Sequence, residues 1–197
     1  MLGNIAFPRY IWNLDSQNQS IFLTFDDGPI PGVTEWVLEL LKSQNIKATF
    51  FCVGDNVRKY PHIFERIIDE GHAVGNHSFN HLNGWKTPRE EYITNIAKAS
   101  GLISSNLLRP PYGKILPYVG RTLSKKYKII MWDVLSRDYD INLTGKQCAR
   151  IVIDKARAGS IVVFHDSIKA ERNLKVALPL VIKSLLRKGY HFDKIVL

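Results

Sequence analysis

The chain has 197 residues, of which 45% are hydrophobic and 23% are charged, a composition typical of ordinary globular proteins. This length suffices for one domain with a sizeable core and is short for two. The net charge of +9 permits attraction to an anionic polymer or membrane surface, but no run of five like charges occurs and basic residues do not alternate with aromatic ones. We therefore expect no nucleic-acid binding, and no stretch reaches the roughly 20 apolar residues of a transmembrane helix.

The amino terminus and the cysteines bear on cellular location. Residues 1–12 show no positively charged segment followed by an apolar run, so we expect no signal peptide and a cytoplasmic protein. We expect residues 1–20 to form an extension packed on a single domain, residues 21–197. Cys52 and Cys148 are far apart in apolar or amphipathic stretches, which favours two buried free thiols over a disulfide.

Apolar runs and amphipathic stretches alternate along the chain and predict strands and helices in turn. The predicted strands are 21–25, 47–53, 73–75, 128–132, 160–164 and 190–197. The predicted helices are 34–44, 61–71, 87–105, 117–126, 144–158 and 174–188. This alternation predicts an α/β fold with about seven parallel strands and right-handed crossovers, as a closed barrel or an open doubly wound sheet.

The positions of the polar residues favour the barrel. They fall just past the carboxyl ends of predicted strands, at Asp26–Asp27, His77, Arg109, Asp133–Asp138 and His165. In an α/β barrel these ends converge on one face, which carries the chemistry. An open sheet usually collects its ligands at a single switch point instead.

Two adjacent carboxylates, Asp26 and Asp27, end the first long apolar run, directly before Gly28-Pro29. Adjacent side chains leave a strand in opposite directions, so we expect the two acids to have different partners and different functions. An ordinary turn before Gly-Pro would use the same residues.

Two histidines, His77 and His81, are spaced four residues apart, which on one helical turn would put both rings on the same face. With Asp27 on a neighbouring strand end they would supply one carboxylate and two imidazoles, a set that suits a catalytic zinc or a related divalent ion. Two surface histidines on a helix would give the same spacing. His165 follows an apolar strand and fits either a hydrogen-bonded core histidine or an active-face residue.

Five motifs, taken in order, resemble the polysaccharide deacetylase family, which is carbohydrate esterase family four with its NodB-homology domain. They are Thr24-Phe25-Asp26-Asp27-Gly28-Pro29, His77-Ser78-x-x-His81, Arg109-Pro110-Pro111-Tyr112, Asp138 with Tyr139 after it, and Val163-Phe164-His165. The resemblance extends from about residue 21 to the carboxyl terminus, and its first two motifs are the most specific. It implies a distorted barrel of about seven parallel strands with a metal-dependent site that removes acetyl groups from carbohydrate.

The resemblance also implies a role for each matching residue. Asp27, His77 and His81 look like ligands of a divalent metal, zinc in the first place and cobalt or nickel otherwise. Asp26 resembles the general base and His165 the general acid.

Four further residues match supporting positions of the family. Arg109 resembles the arginine that holds the base, and Asp138 resembles the carboxylate that tunes the acid histidine. The backbone N–H of Tyr112 would complete the oxyanion site, and Tyr139 would lie beside the acetyl pocket.

The fourth motif departs from the family pattern. Leu135 stands where the first of two acids is usual, and Tyr139 replaces a tryptophan. The reaction expected from the resemblance is removal of N-acetyl groups from an amino-sugar glycan such as chitooligosaccharide or peptidoglycan. An O-acetyl esterase acting on xylan-like glycans and a non-catalytic carbohydrate-binding relative are the alternatives, and the sequence does not predict an oligomeric state.

Overall fold

The computed structural model of the protein describes residues 10–15 and 18–197. Nine strands are found in this part of the chain: β1 Tyr10–Ile11, β2 Ser20–Asp26, β3 Thr49–Cys52, β4 Ala73–Asn76, β5 Leu107–Leu108, β6 Lys128–Ile130, β7 Val134–Leu135, β8 Ile161–His165 and β9 His191–Phe192. Seven α-helices accompany them: α1 Val33–Ser43, α2 Gly54–Lys59, α3 Pro61–Asp69, α4 Arg89–Ser100, α5 Pro117–Leu123, α6 Gly145–Lys155 and α7 Glu171–Arg187. A 3-10 turn covers Pro111–Gly113.

The strands form one curled sheet in which every ladder is parallel. The order is β1-β6-β5-β4-β3-β2-β8-β7, and β9 pairs with the amino-terminal end of β2. The backbone N–H of Leu14 donates to the carbonyl of Gly159 at 2.8 Å, which ties the segment after β1 to the base of β8. The predicted distorted barrel is therefore confirmed, with nine strands in place of about seven.

Several element boundaries differ from those predicted. Helix α2 was not predicted, because six residues are too few to display a helical period. The strand predicted over 190–197 is reduced to His191–Phe192, and the helix predicted over 87–105 covers Arg89–Ser100. The four strands of two residues each are likewise too short for a periodic pattern.

Strand β2 is central, and the alternation of its side chains places the first motif. Ile21, Leu23 and Phe25 are fully buried in the large cluster beneath the helices. Phe22 packs instead with residues from four other strands in the barrel interior. Because side chains alternate along a strand, Thr24 and Asp26 follow Phe22 into that interior.

Some predictions concern residues that the structure does not describe. Residues 1–9 and 16–17 lie outside the described residues, so the packing of the extension 1–20, the absence of a leader and the cytoplasmic location stay predictions. Cys52 and Cys148 are buried free thiols, as predicted. Within 10–15 and 18–197, no helix combines the length and the apolar character needed to cross a membrane.

Gly75 in β4 leaves room for the ring of Phe51, and Gly75→Ala tests whether this close packing stabilises the fold. The added methyl group would lie 2.5 Å from two ring carbons of Phe51, which is fully buried. We expect a loss of about 1–3 kcal/mol in the free energy of unfolding, measured in urea. Gly101→Ala is the control, because its methyl group would meet nothing nearer than 3.4 Å. Equal stability of the two variants would contradict this account of the packing.

Candidate active site

A cavity of about 610 Å³ opens at the carboxyl ends of the strands. Seven of the nine predicted site residues line it: Asp26, Asp27, His77, His81, Tyr112, Tyr139 and His165. The other two, Arg109 and Asp138, are fully buried behind it. A second cavity of about 670 Å³, lined in part by Ala73 and Leu107 at the amino-terminal ends of their strands, has no Asp, Glu or His side chain in its wall.

Asp26 is held by a buried guanidinium group. Nη1 of Arg109 donates to Asp26 Oδ1 and to Thr24 Oγ1, both at 2.7 Å. The remaining Arg109 nitrogens donate to the carbonyls of Ile130 and Met131. Asp26 Oδ1 is thereby fixed, while Oδ2 lies on the side of His77, 4.0 Å from its Nε2.

Asp27 lies one residue past the β2 ladder that pairs with β8 and has a left-handed backbone, with φ of 85°. This turn brings the Asp27 carboxylate into the same cavity as that of Asp26. The two acids nevertheless have different partners, as the sequence predicted. Asp27 Oδ1 is 3.2 Å from His81 Nε2 and 3.7 Å from His77 Nε2. Burial alone would raise the pKa of Asp27, but the hydrogen bond to His81 and the nearby imidazoles hold this pKa well below its ordinary value.

The two histidines are brought together by a loop and not by the predicted helical turn. His77 directly follows β4, and Ser78 and His81 have left-handed backbones, with φ of 63° and 55°. The ring centroids of the histidines are 5.1 Å apart. The expected proximity is therefore found, but the helical reason for it was wrong.

The arrangement around His77 suits a bound cation. His77 Nδ1 is 2.8 Å from the carbonyl oxygen of Arg109, which can only accept, so Nδ1 carries the proton. Burial lowers the pKa of His77 to about 4, so the ring is neutral at neutral pH and the lone pair of Nε2 faces the Asp27 carboxylate. The lone pair of His77 Nε2 and the carboxylate oxygen of Asp27 therefore face each other with no proton between them, an arrangement that a bound cation would satisfy.

The distances within this group fit a single metal ion. One ligand atom from each of Asp27, His77 and His81 lies within 4.8 Å of the others. Two ligand atoms held about 2.0 Å from a tetrahedral zinc ion are separated by roughly 3.3 Å. The measured 3.2 and 3.7 Å agree with this separation, so these three residues fit a metal site.

His165 has the opposite electrostatic environment. Its Nδ1 is 2.7 Å from Asp138 Oδ1, and its backbone N–H donates to Asp138 Oδ2 at 2.8 Å. Burial would lower the pKa of His165, but the hydrogen bond and charge of Asp138 outweigh it and raise this pKa to about 9. The ring is therefore a cation at neutral pH.

Aromatic rings lie on both sides of the cavity. The ring of Tyr112, in the 3-10 turn, is 4.6 Å from that of His81, and the ring of Tyr139 is 5.1 Å from that of His165. Leu135 also lines the cavity. Asp133 does not replace the missing acid, since its carboxylate is bound to Ser160 and to the backbone N–H of Ile161.

Asp166 is the main residue that the sequence analysis did not single out. It is 1% exposed, and it accepts hydrogen bonds from the Gly28 N–H at 3.0 Å and from the Thr34 hydroxyl at 2.6 Å. Burial raises its pKa to about 8. Asn56 also supports the first motif, because its side chain donates to the carbonyl of Asp27. The only signal for Asp166 was its place directly after His165.

Left-handed backbone conformations are concentrated near the site. Positive φ values at residues other than glycine are found at Gln19, Asp27, Asn45, Ser78, His81, Tyr112 and Arg137 among the described residues. Five of these seven, Asp27, Ser78, His81, Tyr112 and Arg137, lie in or directly beside the first four motifs. Such conformations are costly and cluster where a fold fixes functional side chains.

Comparison with known proteins agrees with this arrangement. Residues 13–131, more than half of the chain, match the family described as polysaccharide deacetylase. The chain belongs to the polysaccharide deacetylase family. The matched segment contains the first three motifs and ends before Asp138 and His165.

Individual relatives extend this similarity over most of the chain. A peptidoglycan-N-acetylglucosamine deacetylase of Bacillus cereus is 33% identical over 180 residues, which are 87% of this chain and 65% of the relative. The chain thus spans about two thirds of that protein's length. A chitooligosaccharide deacetylase of Azorhizobium caulinodans is 35% identical over 77% of this chain and 76% of its own. The crystal structure of the Bc1960 peptidoglycan N-acetylglucosamine deacetylase superposes with a TM-score of 0.91, at 30% identity, over 99% of this chain and 94% of that one.

Asp166→Ala tests the support of the first motif. The Gly28 N–H and the Thr34 hydroxyl would lose their buried acceptor, so we expect the free energy of unfolding to fall by on the order of 2 kcal/mol in urea titrations. Asp166→Asn keeps the shape and one acceptor oxygen and should lose less. A loss from Asp166→Asn as large as that from Asp166→Ala would show that the acceptors do not matter.

Asp138→Asn tests the charge of His165. Without the carboxylate, burial dominates, and we expect the pKa of His165 to fall from about 9 to 6.5 or below in an NMR titration of the ring. The ring signals of exposed His191 should be unchanged. A His165 pKa that stays near 9 would mean that Asp138 is not the cause.

The same pair has a consequence for stability. Because the folded-state pKa of His165 is raised, its contribution to stability is complete below about pH 6.5 and is lost as the pH rises through about 9. Asp138→Asn should therefore remove part of the decline in stability between these two pH values.

Proposed function

We propose that the protein is a metal-dependent deacetylase that removes N-acetyl groups from an amino-sugar glycan. The observation that carries this proposal is the meeting, in one cavity, of a metal-binding group, a second carboxylate and a cationic imidazole. Hydrolysis of an acetamide needs these three functions: activation of water and carbonyl, a base, and an acid for the leaving nitrogen.

Asp27, His77 and His81 would hold the metal. A divalent cation bound there lowers the pKa of water and polarises the acetyl carbonyl. His77 is suited to this task because its Nδ1–H is fixed on the Arg109 carbonyl, which orients Nε2 toward Asp27. Zinc suits this ligand set, and cobalt and nickel are the other candidates.

Asp26 would act as the general base. Arg109 and Thr24 fix its Oδ1 side, so the carboxylate cannot rotate away, and Oδ2 is left to accept a proton from the attacking water. Proton transfer by a positioned side chain typically contributes about 10² to 10⁴ in rate.

His165 would act as the general acid. Its Nδ1 is engaged by Asp138, so the proton on Nε2 is the one available to the cavity. An amine leaves very poorly as an anion, and transfer of this proton lets it depart neutral while Asp138 keeps the ring oriented. The Tyr112 N–H would stabilise the oxyanion, a contact worth on the order of 3 kcal/mol.

Two considerations support an amino-sugar substrate. The two curated relatives described above are named as deacetylases of peptidoglycan N-acetylglucosamine and of chitooligosaccharide. In addition, the cationic His165 matches the need of an amide, because an alkoxide leaves more readily than an amine and depends less on an acid. The esterase alternative is therefore less favoured, although the same site could hydrolyse an acetate ester.

Asp26→Asn and Asp27→Ala together test the proposal. After metal removal and addition of zinc, cobalt or nickel in turn, the unmodified protein should release acetate from chitooligosaccharide. Asp27→Ala should lose the metal, measured by elemental analysis. Asp26→Asn should keep the metal but lose about 10² or more in kcat, because the site lacks its base.

Parallel assays distinguish the alternatives. Faster release from acetylxylan than from chitooligosaccharide would favour the esterase. Binding of glycan and metal without any acetate release would favour the non-catalytic relative. Full turnover by Asp26→Asn would remove that residue as the base.

A further inference from the structure

Two lysines at the rim of the cavity carry charge that no carboxylate neutralises. Lys114 and Lys169 both line the cavity, and among the described residues neither forms an ion pair. The acids of the cavity have partners of their own: Asp26 pairs with Arg109, and Asp27 belongs to the proposed metal-binding group with His77 and His81. The charge left over at the rim is therefore positive, which favours an anionic ligand.

Lys114 lies over the ring of an exposed indole. Its Nζ is 5.2 Å from the centroid of the Trp85 ring, and Trp85 is 60% exposed. The ring is nevertheless fixed, because its Nε1–H donates to the carbonyl of Ile115 at 3.3 Å and its backbone N–H donates to Asn83 Oδ1 at 3.0 Å. Gly84 also forms a bridge with Ile115, which anchors the loop.

An exposed aromatic ring that is held in place is a suitable binding surface. Single exposed apolar side chains are common on protein surfaces, whereas grouped apolar surface beside polar groups marks binding grooves, and Trp85 and Tyr112 are both exposed. The flat indole presents an apolar face and leaves its polar edge engaged, which suits the C–H face of a sugar ring. Tyr112, which is 58% exposed and whose ring lies 4.6 Å from that of His81, lines the cavity together with Lys114.

We propose that Trp85 and Lys114 form an accessory subsite that binds a sugar adjacent to the reacting one and selects an anionic substituent on it. Trp85 stacks on the neighbouring sugar, and Lys114 pairs with a carboxylate or phosphate that this sugar carries. This inference rests on the proposed function, since it assumes a glycan in the cavity, and it narrows the substrate to an anionic amino-sugar chain.

Lys169 provides an internal comparison. Its Nζ is 5.6 Å from the Tyr139 ring, on the His165 side of the cavity, and Tyr139 is only partly exposed. Lys169 therefore adds to the positive field without offering a free stacking ring. If the positive charge alone attracted anionic glycans, replacing Lys114 or replacing Lys169 would weaken their binding equally.

The experiment measures binding without turnover, on zinc-loaded full chain carrying Asp26→Asn. The probes are a tetrasaccharide of N-acetylglucosamine, the same tetrasaccharide with one 6-phosphate, and a tetrasaccharide in which N-acetylglucosamine alternates with N-acetylmuramic acid. Titration calorimetry gives Kd for each probe. The last two probes distinguish a phosphate from a carboxylate as the preferred group.

We expect at least one anionic probe to bind about tenfold more tightly than the neutral one, and Lys114→Gln to remove this advantage while changing the neutral Kd less than about twofold. Lys114→Arg should restore the preference. Trp85→Ala should weaken all three probes, and Trp85→Phe should recover most of the loss. Lys126→Gln is the matched control, because Lys126 also lies over an aromatic ring, that of Tyr127, but outside this cavity.

Each contrary result has a distinct meaning. Equal affinity for neutral and anionic probes, or an equal loss from Lys169→Gln and Lys114→Gln, would overturn the subsite. Binding of none of the glycans would instead overturn the proposed function.

Discussion

The buried guanidinium of Arg109 is the constraint on which the rest of the site depends. Its side chain fixes Asp26 in β2 and also donates to the carbonyls of Ile130, the last residue of β6, and Met131, which follows it. Its backbone carbonyl fixes the tautomer of His77. A charge with no exposure to water carries a large desolvation cost, and here four hydrogen bonds, one of them the ion pair with Asp26, offset it. One residue thus orients the proposed base and one of the proposed metal ligands, so the two are positioned together.

His77, which is buried, and His165, which is partly buried, have different charge states because their Nδ1 partners differ. His77 faces a carbonyl, burial dominates, and the ring is neutral, as a metal ligand must be. His165 faces the Asp138 carboxylate, which outweighs burial and keeps the ring cationic, as an acid must be. The same type of side chain therefore has two charge states on one face of the barrel, which suit the two proposed roles, and the Nδ1 partner decides between them.

The altered fourth motif leaves the essential contact intact but changes the wall of the cavity. Asp138 still holds His165, so the protonated form rests on one carboxylate and does not require the acid that Leu135 replaces. Leu135 adds an apolar surface, and the ring of Tyr139 lies nearly perpendicular to that of His165. Under the proposed function, the departure therefore changes the shape of the cavity that receives the substrate more than the delivery of a proton.

The sequence by itself determined the alternation of strands and helices, the barrel, and the grouping of Asp26, Asp27, His77 and His165 at one end, because periodicity and position after a strand are local properties. It did not determine how the groups meet. The helical turn predicted for His77 and His81 is a loop with left-handed residues, and Asp166, directly after β8, supports Gly28 of the first motif from 138 residues away. Tautomers, charge states and the fixed exposed ring of Trp85 depend on partners distant in sequence, and only the tertiary structure brings those partners within hydrogen-bonding distance.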